Sequence, residues 1–173
     1  MASDELDKVE LPALEQLQFL GWAYIEGAKL SPDESDERSS LKDVVLEKRL
    51  TKSLKRINPW INDENLRKVV RDLTKTLYPN LVEANQAIWT QINQSVSVMQ
   101  DLGKGNKGQT VHIIDFENPE NNEFLCTNQF KVSGVNQNII PDILCFVNGL
   151  PLAVIECKSP YITNPMEAGI DQL

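Results

Sequence analysis

Two carboxylates and one lysine near the end of the chain have the residue types and the spacing of a metal-assisted hydrolytic site. Pro141-Asp142 begins one apolar run, and Glu156-Cys157-Lys158 finishes the next. Two carboxylates can hold a divalent cation, and an ammonium group beside them can orient a water or stabilise the charge that develops during phosphodiester hydrolysis. We therefore take Asp142, Glu156 and Lys158 as candidate catalytic residues, with Asp142 and Glu156 as candidate metal ligands.

The elements that must position these residues are two predicted strands joined by a tight turn. Nearly every residue of Ile143–Val147 and Leu152–Ile155 is apolar, and Asn148-Gly149 lies between the two runs. Asn-Gly is the strongest short hairpin signal, so the pattern predicts two adjacent antiparallel strands. The aspartate strand and the glutamate strand then become neighbours without any further assumption about the fold.

The charges in this region stand out against their surroundings. Asp142, Glu156 and Lys158 are the only charged residues within 132–166. A charge in so apolar a stretch must be paired, metal-bound or at an edge. Since side chains alternate along a strand, Glu156 and Lys158 are expected to point the same way and Cys157 into the opposite layer.

Length and composition indicate one soluble domain. The chain has 173 residues, of which 41% are hydrophobic and 24% charged, which is ordinary for a globular protein. No apolar run has membrane-spanning length and the N-terminus is too acidic for a secretory signal, so we expect a cytoplasmic protein with no membrane partner. The three cysteines, Cys126, Cys145 and Cys157, lack CxxC spacing and fall in predicted strands. They are interpreted as buried hydrophobic residues rather than as disulfides or zinc ligands.

The distribution of charge along the chain is compatible with a nucleic-acid partner, although the net charge is negative. The net charge of −8 argues against a nonspecific nucleic-acid binder. Residues 1–40 carry ten acidic and three basic residues, whereas residues 41–58 carry six basic and two acidic residues. The basic segment is either a phosphate-facing surface or a solvated helix face, and the sequence leaves both open.

Periodicity predicts helices first and strands afterwards. The predicted helices are Glu10–Gly21, Val44–Ile57, a helix capped by Asn62-Asp63-Glu64 with Leu66, Val69, Val70 and Leu73 inward, and Leu81–Leu102 with Ala84, Ile88, Trp89, Ile92, Val96 and Met99 inward. After a glycine-rich turn at Lys104–Gly108, the predicted strands are Thr110–Phe116, Glu123–Val132, Ile139–Val147 and Leu152–Lys158, and Asn164-Pro165 opens a last helix.

This order predicts the α+β class, with a helical N-terminal half followed by a mostly antiparallel mixed β-sheet flanked by helices. We expect one domain over 1–173, with a mainly helical part at 1–102. The part at 109–173 would contain the catalytic sheet and the start of the following helix.

Four other features carry weaker chemical signals. The segment 103–110 nearly spells a P-loop, but Gln109 occupies the lysine position and a strand follows instead of a helix, so we interpret it as a turn. His112 is the only histidine and has no matching nucleophile motif. Asp115 and Gln129 are polar residues inside apolar strands, and each could line a metal cleft or be a hydrogen-bonded edge residue.

The pattern Pro-Asp followed by Glu-x-Lys resembles the PD-(D/E)XK nuclease signature. More broadly, the chain resembles the N-terminal nuclease domain of the restriction (R) subunit of type I restriction-modification enzymes. The matching segments, spread over essentially the whole chain, are Glu10–Glu15 running to Leu20-Gly21-Trp22, Ile57-Asn58-Pro59, Ile114–Pro119 with Asn121-Asn122, Asn128-Gln129-Phe130, Pro141-Asp142, Phe146–Pro151 and Glu156–Pro160.

The resemblance implies a restriction endonuclease-like fold and a Mg²⁺-dependent DNA endonuclease, with Mn²⁺ as a possible substitute. By motif match its active site would be Asp142, Glu156 and Lys158, together with Gln172 as the start of a Gln-x-x-x-Tyr motif whose tyrosine would lie beyond the chain. It also implies double-stranded DNA, methyltransferase and specificity subunits as partners, and ATP bound only by a motor domain absent from this chain, which would make the chain a fragment of a longer protein.

Two alternatives to this function stay open. One is a nuclease-like fold that has lost catalysis and serves as a DNA- or protein-docking module. The other is a stand-alone nuclease of the Holliday junction resolvase kind. The intact Asp, Glu and Lys favour an enzyme over a docking module, and the long helical N-terminal half is not needed by a resolvase.

Overall fold

The structure, a computed structural model, describes residues 5–75, 80–134, 137–159, 161 and 165–170. In chain order its elements are a π-helical turn (Leu6–Glu10), α1 (Leu11–Phe19), β1 (Ala23–Tyr24), a 3-10 turn (Gly27–Leu30), α2 (Glu47–Ile57), α3 (Asp63–Thr74), α4 (Leu81–Gln94), β2 (Val96–Asp101), β3 (Asn106–Val111), a 3-10 turn (Pro119–Asn121), β4 (Phe124–Asn128), β5 (Val132–Ser133), β6 (Asn138–Ile139), β7 (Ile143–Val147), β8 (Leu150–Ile155) and α5 (Pro165–Ile170). Helices and a mixed, mostly antiparallel sheet confirm the predicted α+β class.

The chain divides into two compact units. The first unit comprises Met1–Val44 and Phe124–Leu173, and the second comprises Val45–Glu123. The second unit is therefore continuous in sequence and interrupts the first. The expected division into a helical part at 1–102 and a sheet part at 109–173 stays a prediction.

The first unit is built on a four-stranded sheet in the order β1-β4-β7-β8. β1 pairs in parallel with β4, and the other two pairings are antiparallel. The central strand β7 is buried along its whole length, which explains why its sequence is an uninterrupted apolar run. The predicted hairpin of β7 and β8 is confirmed.

The turn of that hairpin has the backbone that its sequence predicts. Asn148 has a φ of 54° and Gly149 a φ of 82°. Positive φ at both central residues matches the twist of the flanking strands, and Asn-Gly adopts it more readily than other pairs. The hairpin register places Ile143 opposite Ile155 at the far end from the turn.

One core cluster of the first unit joins helix α1 to the sheet. It consists of Leu14, Cys126, Ile143, Cys145 and Cys157, each at most 4% exposed. The three cysteines are free and buried, as predicted. Burial raises the pKa of all three thiols, to about 11 for Cys126 and Cys157, so they behave as hydrophobic residues.

The second unit packs α2 and α3 through the apolar residues that helical periodicity predicts. Leu50 and Leu54 of α2 are fully buried, and Leu66, Val69, Val70 and Leu73 of α3 are nearly so. The side chain of Asn62 accepts a hydrogen bond from the backbone N–H of Asn65, which confirms the predicted cap. Helix α2 begins at Glu47, three residues later than predicted.

The prediction of one helix over Leu81–Leu102 is wrong in its last third. Helix α4 ends at Gln94, Ser95 has a φ of 65°, and the chain continues as β2, antiparallel to β3. Burial alternates along β2, so Val98 is buried whereas Met99 is 60% exposed. This period of two, with the glycines of the following turn, outweighs the helical spacing of the apolar residues. Trp89, expected inward, is 67% exposed.

The other predicted strands occur with shifted limits. The strand predicted over Thr110–Phe116 is wrong after Val111, where β3 ends, because the chain continues as a loop held by hydrogen bonds to Asp115. The predicted strand Glu123–Val132 is divided between β4 and β5, and Ile139–Val147 is divided between β6 and β7. The predicted strand Leu152–Lys158 corresponds to β8, which ends at Ile155. The last helix begins at Pro165, and its predicted cap, Asn164, lies outside the described residues. In the parts of the chain that the structure describes, no helix has the length and apolar character needed to cross a bilayer.

Arg38 connects loops of the first unit through hydrogen bonds. It is 4% exposed and donates hydrogen bonds to the carbonyl oxygens of Leu30 at 2.9 Å, Lys131 at 2.8 Å and Asp43 at 3.4 Å. Its guanidinium lies 3.9 Å from the centre of the Phe130 ring. A planar guanidinium with several donors is well suited to satisfy carbonyls that burial removes from water.

We predict that Arg38→Met lowers the free energy of unfolding by about 2–4 kcal/mol, because it leaves one buried and two partly buried carbonyl oxygens without their donor. Urea denaturation followed by circular dichroism measures the change. Arg67→Met, on the exposed face of α3, is the matched control and should cost less than about 0.5 kcal/mol. Equal losses in both variants would show that Arg38 does not hold the loops.

Candidate active site

The hairpin brings the predicted catalytic residues to one end of the sheet. Ile143 and Ile155 are paired in the register of β7 and β8. Asp142 directly precedes Ile143, and Glu156 directly follows Ile155, so the two carboxylates lie side by side beyond the last strand pair. Lys158 follows two residues later, on the same side as Glu156.

Hydrogen bonds fix this arrangement. The backbone N–H of Cys157 donates to Oδ2 of Asp142 at 2.7 Å. Nζ of Lys158 donates to the carbonyl oxygen of Cys157 at 3.0 Å and lies 3.9 Å from Oε2 of Glu156. The side chains of Glu156 and Lys158 are only 10% and 12% exposed. Three charged groups are thus held close together with little access to water.

The charges of the site and its burial change the pKa of Glu156. Burial raises the pKa of its carboxyl group, the neighbouring Asp142 carboxylate raises it further, and the Lys158 ammonium partly opposes both. Two carboxylates share the site with one ammonium, so negative charge is in excess. Such a site gains stability from an added cation.

Asp142 and Glu156 fit a divalent metal ion of the magnesium type. Within the described ranges, no cluster of three or more His, Cys, Asp or Glu side chains forms a metal site. Two oxygen-donating carboxylates are nevertheless the usual protein share for Mg²⁺, which keeps several waters and takes further oxygens from a phosphate. The raised pKa of Glu156, caused first by burial and then by the Asp142 carboxylate, agrees with a site that a cation would stabilise.

Glu5 adds a third carboxylate that the sequence analysis counted only as part of an acidic N-terminus. Oε1 of Glu5 lies 3.8 Å from Nζ of Lys158, and Oε2 accepts a hydrogen bond from the backbone N–H of Ser159 at 3.2 Å. The beginning of the chain therefore helps to orient the candidate catalytic lysine. No spacing in the sequence indicates this contact, because 153 positions separate Glu5 from Lys158.

Glu10 was likewise missed as a part of the site. It is 4% exposed, and its two oxygens accept hydrogen bonds from the side-chain amides of Asn128 at 2.9 Å and Gln129 at 3.4 Å. The backbone N–H of Gln129 in turn donates to the carbonyl oxygen of Asp142 at 3.1 Å. Tyr24 donates to Oδ1 of Asn128 at 2.8 Å. Of the two roles left open for Gln129, the structure thus shows a hydrogen-bonded residue that is also adjacent to Asp142.

The end of β4 is packed tightly against the turn that begins at Gly27. A Cβ atom at Gly27 would lie 2.2 Å from the carbonyl oxygen of Asn128 and 2.9 Å from backbone atoms of Gln129. Only a residue without a side chain allows this approach. The position of Asn128 and Gln129 beside Glu10 therefore depends on a glycine.

Asp115 and His112 have local roles in the second unit. The carboxylate of Asp115 accepts hydrogen bonds from its own loop, from the backbone N–H groups of Glu117 and Asn118 and from the side chain of Asn121. These bonds, that from Asn121 first, lower the pKa of Asp115. His112 is exposed, and its Nδ1 lies 3.3 Å from Oγ of Ser95. Gln172 lies outside the described residues, and its role stays a prediction.

The fold and the site together define an α+β module with two adjacent carboxylates and a lysine at one sheet end. A family model described as the N terminus of the type I restriction enzyme R protein matches residues 3–173. The chain belongs to this family.

Proteins similar to this chain are named as endonuclease subunits of type I restriction enzymes. The putative type I restriction enzyme MjaIXP endonuclease subunit of Methanocaldococcus jannaschii is 36% identical over 155 residues, which is 88% of this chain and 15% of that protein. The type I restriction enzyme HindI endonuclease subunit of Haemophilus influenzae is 35% identical over 154 residues, again 88% of this chain and 15% of that protein. The chain thus spans only a small part of the length of these relatives.

We predict that Glu156 makes folding less favourable as the pH rises. Its pKa in the folded state lies above its ordinary value, so between the two values the unfolded chain has already lost the proton that the folded chain keeps. Stability contributed by the protonated carboxyl group is complete at low pH and is lost as the pH rises through the folded-state pKa. The free energy of unfolding of Glu156→Gln, relative to that of the wild type, should therefore increase from about pH 4 to pH 8.

Urea denaturation at several pH values, without divalent ions, measures this difference. Glu15→Gln, which replaces an exposed carboxylate of the same unit, is measured alongside as the control variant. A pH-independent difference for Glu156→Gln would contradict the raised pKa.

Proposed function

We propose that this chain is a metal-dependent nuclease module that hydrolyses phosphodiester bonds of double-stranded DNA within a type I restriction enzyme. The observation that carries the proposal is the meeting of Asp142, Glu156 and Lys158 at one end of the sheet, with Nζ of Lys158 3.9 Å from Glu156. Membership of the R-protein family supports the same activity.

Each of the three residues has a distinct role in this proposal. Asp142 and Glu156 would hold Mg²⁺, or Mn²⁺ in its place, and the bound metal would supply an activated water and compensate charge on the phosphate. The hydrogen bond from the backbone N–H of Cys157 to Oδ2 of Asp142 keeps that carboxylate oriented. The Lys158 ammonium, 3.9 Å from Glu156, would orient the attacking water or stabilise charge on a phosphate oxygen.

The remaining partners are proposed from the relatives. Their names describe endonuclease subunits of type I restriction enzymes, and this chain covers 15% of their length. We propose that the rest of such a subunit contains the ATP-dependent motor and the surface that docks on the methyltransferase and specificity subunits. Gln172 and a tyrosine four residues further on would complete the active site. A cytoplasmic location agrees with these partners.

We predict that Asp142→Asn, Glu156→Gln and Lys158→Ala each lower DNA cleavage by at least about a hundredfold. Metal-assisted catalysis supplies several kcal/mol of barrier reduction, and about 1.4 kcal/mol corresponds to a factor of ten. The assay uses the full-length R subunit assembled with its methyltransferase and specificity subunits, on plasmid DNA with ATP and Mg²⁺. ATP hydrolysis should be unchanged in all three variants, and the exposed Glu15→Gln should cleave normally.

The same assay separates the alternatives. If all three variants cleave DNA at the wild-type level, the chain is a docking module without catalysis. If only one variant does so, the residue changed in that variant has no part in the mechanism. If the 173-residue chain alone degrades plasmid efficiently with Mg²⁺, and Lys158→Ala abolishes this, a stand-alone resolvase-like nuclease becomes the better description. We expect instead that the chain alone cleaves poorly and does not hydrolyse ATP.

A further prediction concerns the metal alone. Because Mn²⁺ binds a given set of oxygen ligands more tightly than Mg²⁺ does, titration calorimetry should detect Mn²⁺ binding with the higher affinity. Asp142→Asn and Glu156→Gln should each weaken Mn²⁺ binding by about tenfold or more, since each removes one of two ligands. Glu15→Gln is the control with the same loss of charge. Unchanged binding in the two site variants would place the metal elsewhere.

A further inference from the structure

We propose that the groove between α2 and α3 binds the sugar-phosphate backbone of duplex DNA. This α2–α3 groove comprises two adjoining cavities of about 720 and 670 Å³. The cavities share Glu47, Thr51, Asp63 and Leu66 in their linings, so they form one continuous concave surface within the second unit. Eight lysines and arginines line it.

The cations of the groove are arranged in two rows by helical periodicity. Lys48, Lys52 and Lys55 follow one another on a single face of α2. Arg67 and Arg71 of α3, four residues apart, continue to Lys75 directly after the helix. All of them are exposed. A step of four residues rises about 6 Å along a helix, so each row presents regularly repeated positive charge.

Much of this charge is not neutralised by the protein itself. Residues 47–75 contain nine basic and four acidic residues. Lys55 lies 3.6 Å from Asp63, but Lys52, Arg67, Lys68 and Lys75 form no ion pair with any other residue that the structure describes. Binding of a polyanion by such groups would release the counterions that accompany it, which is the main source of affinity for DNA backbones.

The charge of the rest of the chain makes the groove distinctive. Residues 1–44 and 124–173 together carry fifteen acidic and six basic residues. A chain of net charge −8 repels DNA at long range, so a phosphate backbone would be attracted locally, by the cations of the α2–α3 groove. Under this proposal the basic segment, which the sequence leaves open between a phosphate-facing surface and a solvated helix face, has the first of these roles.

The composition of the groove favours DNA over an acidic protein. Protein interfaces depend on exposed aromatic or aliphatic anchors at their centre. No large hydrophobic side chain is exposed within residues 47–75, and Leu66 at the floor is only 6% exposed. The choice of DNA among polyanions rests on the proposed function.

The test measures binding in the absence of cleavage. Fluorescence anisotropy of a labelled 20-base-pair duplex is recorded with the 173-residue chain in EDTA, over 50–200 mM salt. Lys52→Glu/Lys68→Glu should weaken binding by about tenfold or more and reduce the salt slope by about two, one for each phosphate contact. Lys104→Glu/Lys107→Glu makes the same charge change on the exposed β2–β3 hairpin of the same unit and should weaken binding less than about threefold.

Further measurements distinguish an effect on DNA binding from effects on folding and on catalysis. Circular dichroism reports folding, and the neutral pair Lys52→Gln/Lys68→Gln should show a smaller loss of affinity in the same direction. Glu15→Gln, which replaces an exposed carboxylate of the first unit, should bind DNA as the wild type does. Because EDTA prevents cleavage, weaker binding by Lys52→Glu/Lys68→Glu would support the groove whether or not the proposed nuclease activity is found in the assembled enzyme.

Three results would overturn the proposal. The first is equal weakening by the two charge-reversal pairs, which would leave only long-range charge. The second is no binding by the wild type at 50 mM salt. The third is competition by poly-glutamate at the same charge concentration as DNA, which would assign the groove to an acidic protein.

Discussion

The hydrogen bond from the backbone of Cys157 to the carboxylate of Asp142 is the interaction on which the candidate site depends. It connects the residue before β7 to the residue after Glu156, at the end of the sheet where regular strand pairing has stopped. The pairing of Ile143 with Ile155 brings Asp142 and Glu156 together, and this hydrogen bond holds the Asp142 carboxylate in place although the two carboxylates repel each other. A polar contact at 2.7 Å thus helps to maintain an unfavourable concentration of charge.

Residues that are remote in sequence stabilise this hydrogen bond through a second set of contacts. Glu10 binds the two amides at the end of β4, and the backbone of the second amide residue binds Asp142. Gly27 allows the close approach that this arrangement requires. On the other side, Glu5 restrains Lys158. The candidate active site is therefore held by two layers of contacts, and the outer layer comes from the first thirty residues.

The sequence predicts what depends on local rules and misses what depends on distant contacts. The β7–β8 hairpin, the Asn62 cap and the buried cysteines follow from turn chemistry, capping and apolar patterning, and all three are confirmed. The prediction of a helix through Met99 is wrong because β2 pairs with β3, and this pairing outweighs the helical spacing of the apolar residues. Glu5 and Glu10 were not identified because their importance arises from partners more than a hundred residues away.

The interruption of the first unit by the second affects the order in which the chain can fold. Val45–Glu123 is one continuous segment, so it can complete its own core as soon as it has been synthesised. β1, in contrast, pairs with β4 through partners such as Ala23 and Leu125, and must wait for about a hundred residues to follow it. The early folding of the inserted segment would shorten the effective loop between β1 and β4 and lower the entropy cost of closing it. The candidate active site needs Glu5 and Lys158 together, so it forms only after the inserted segment and β4 have been synthesised.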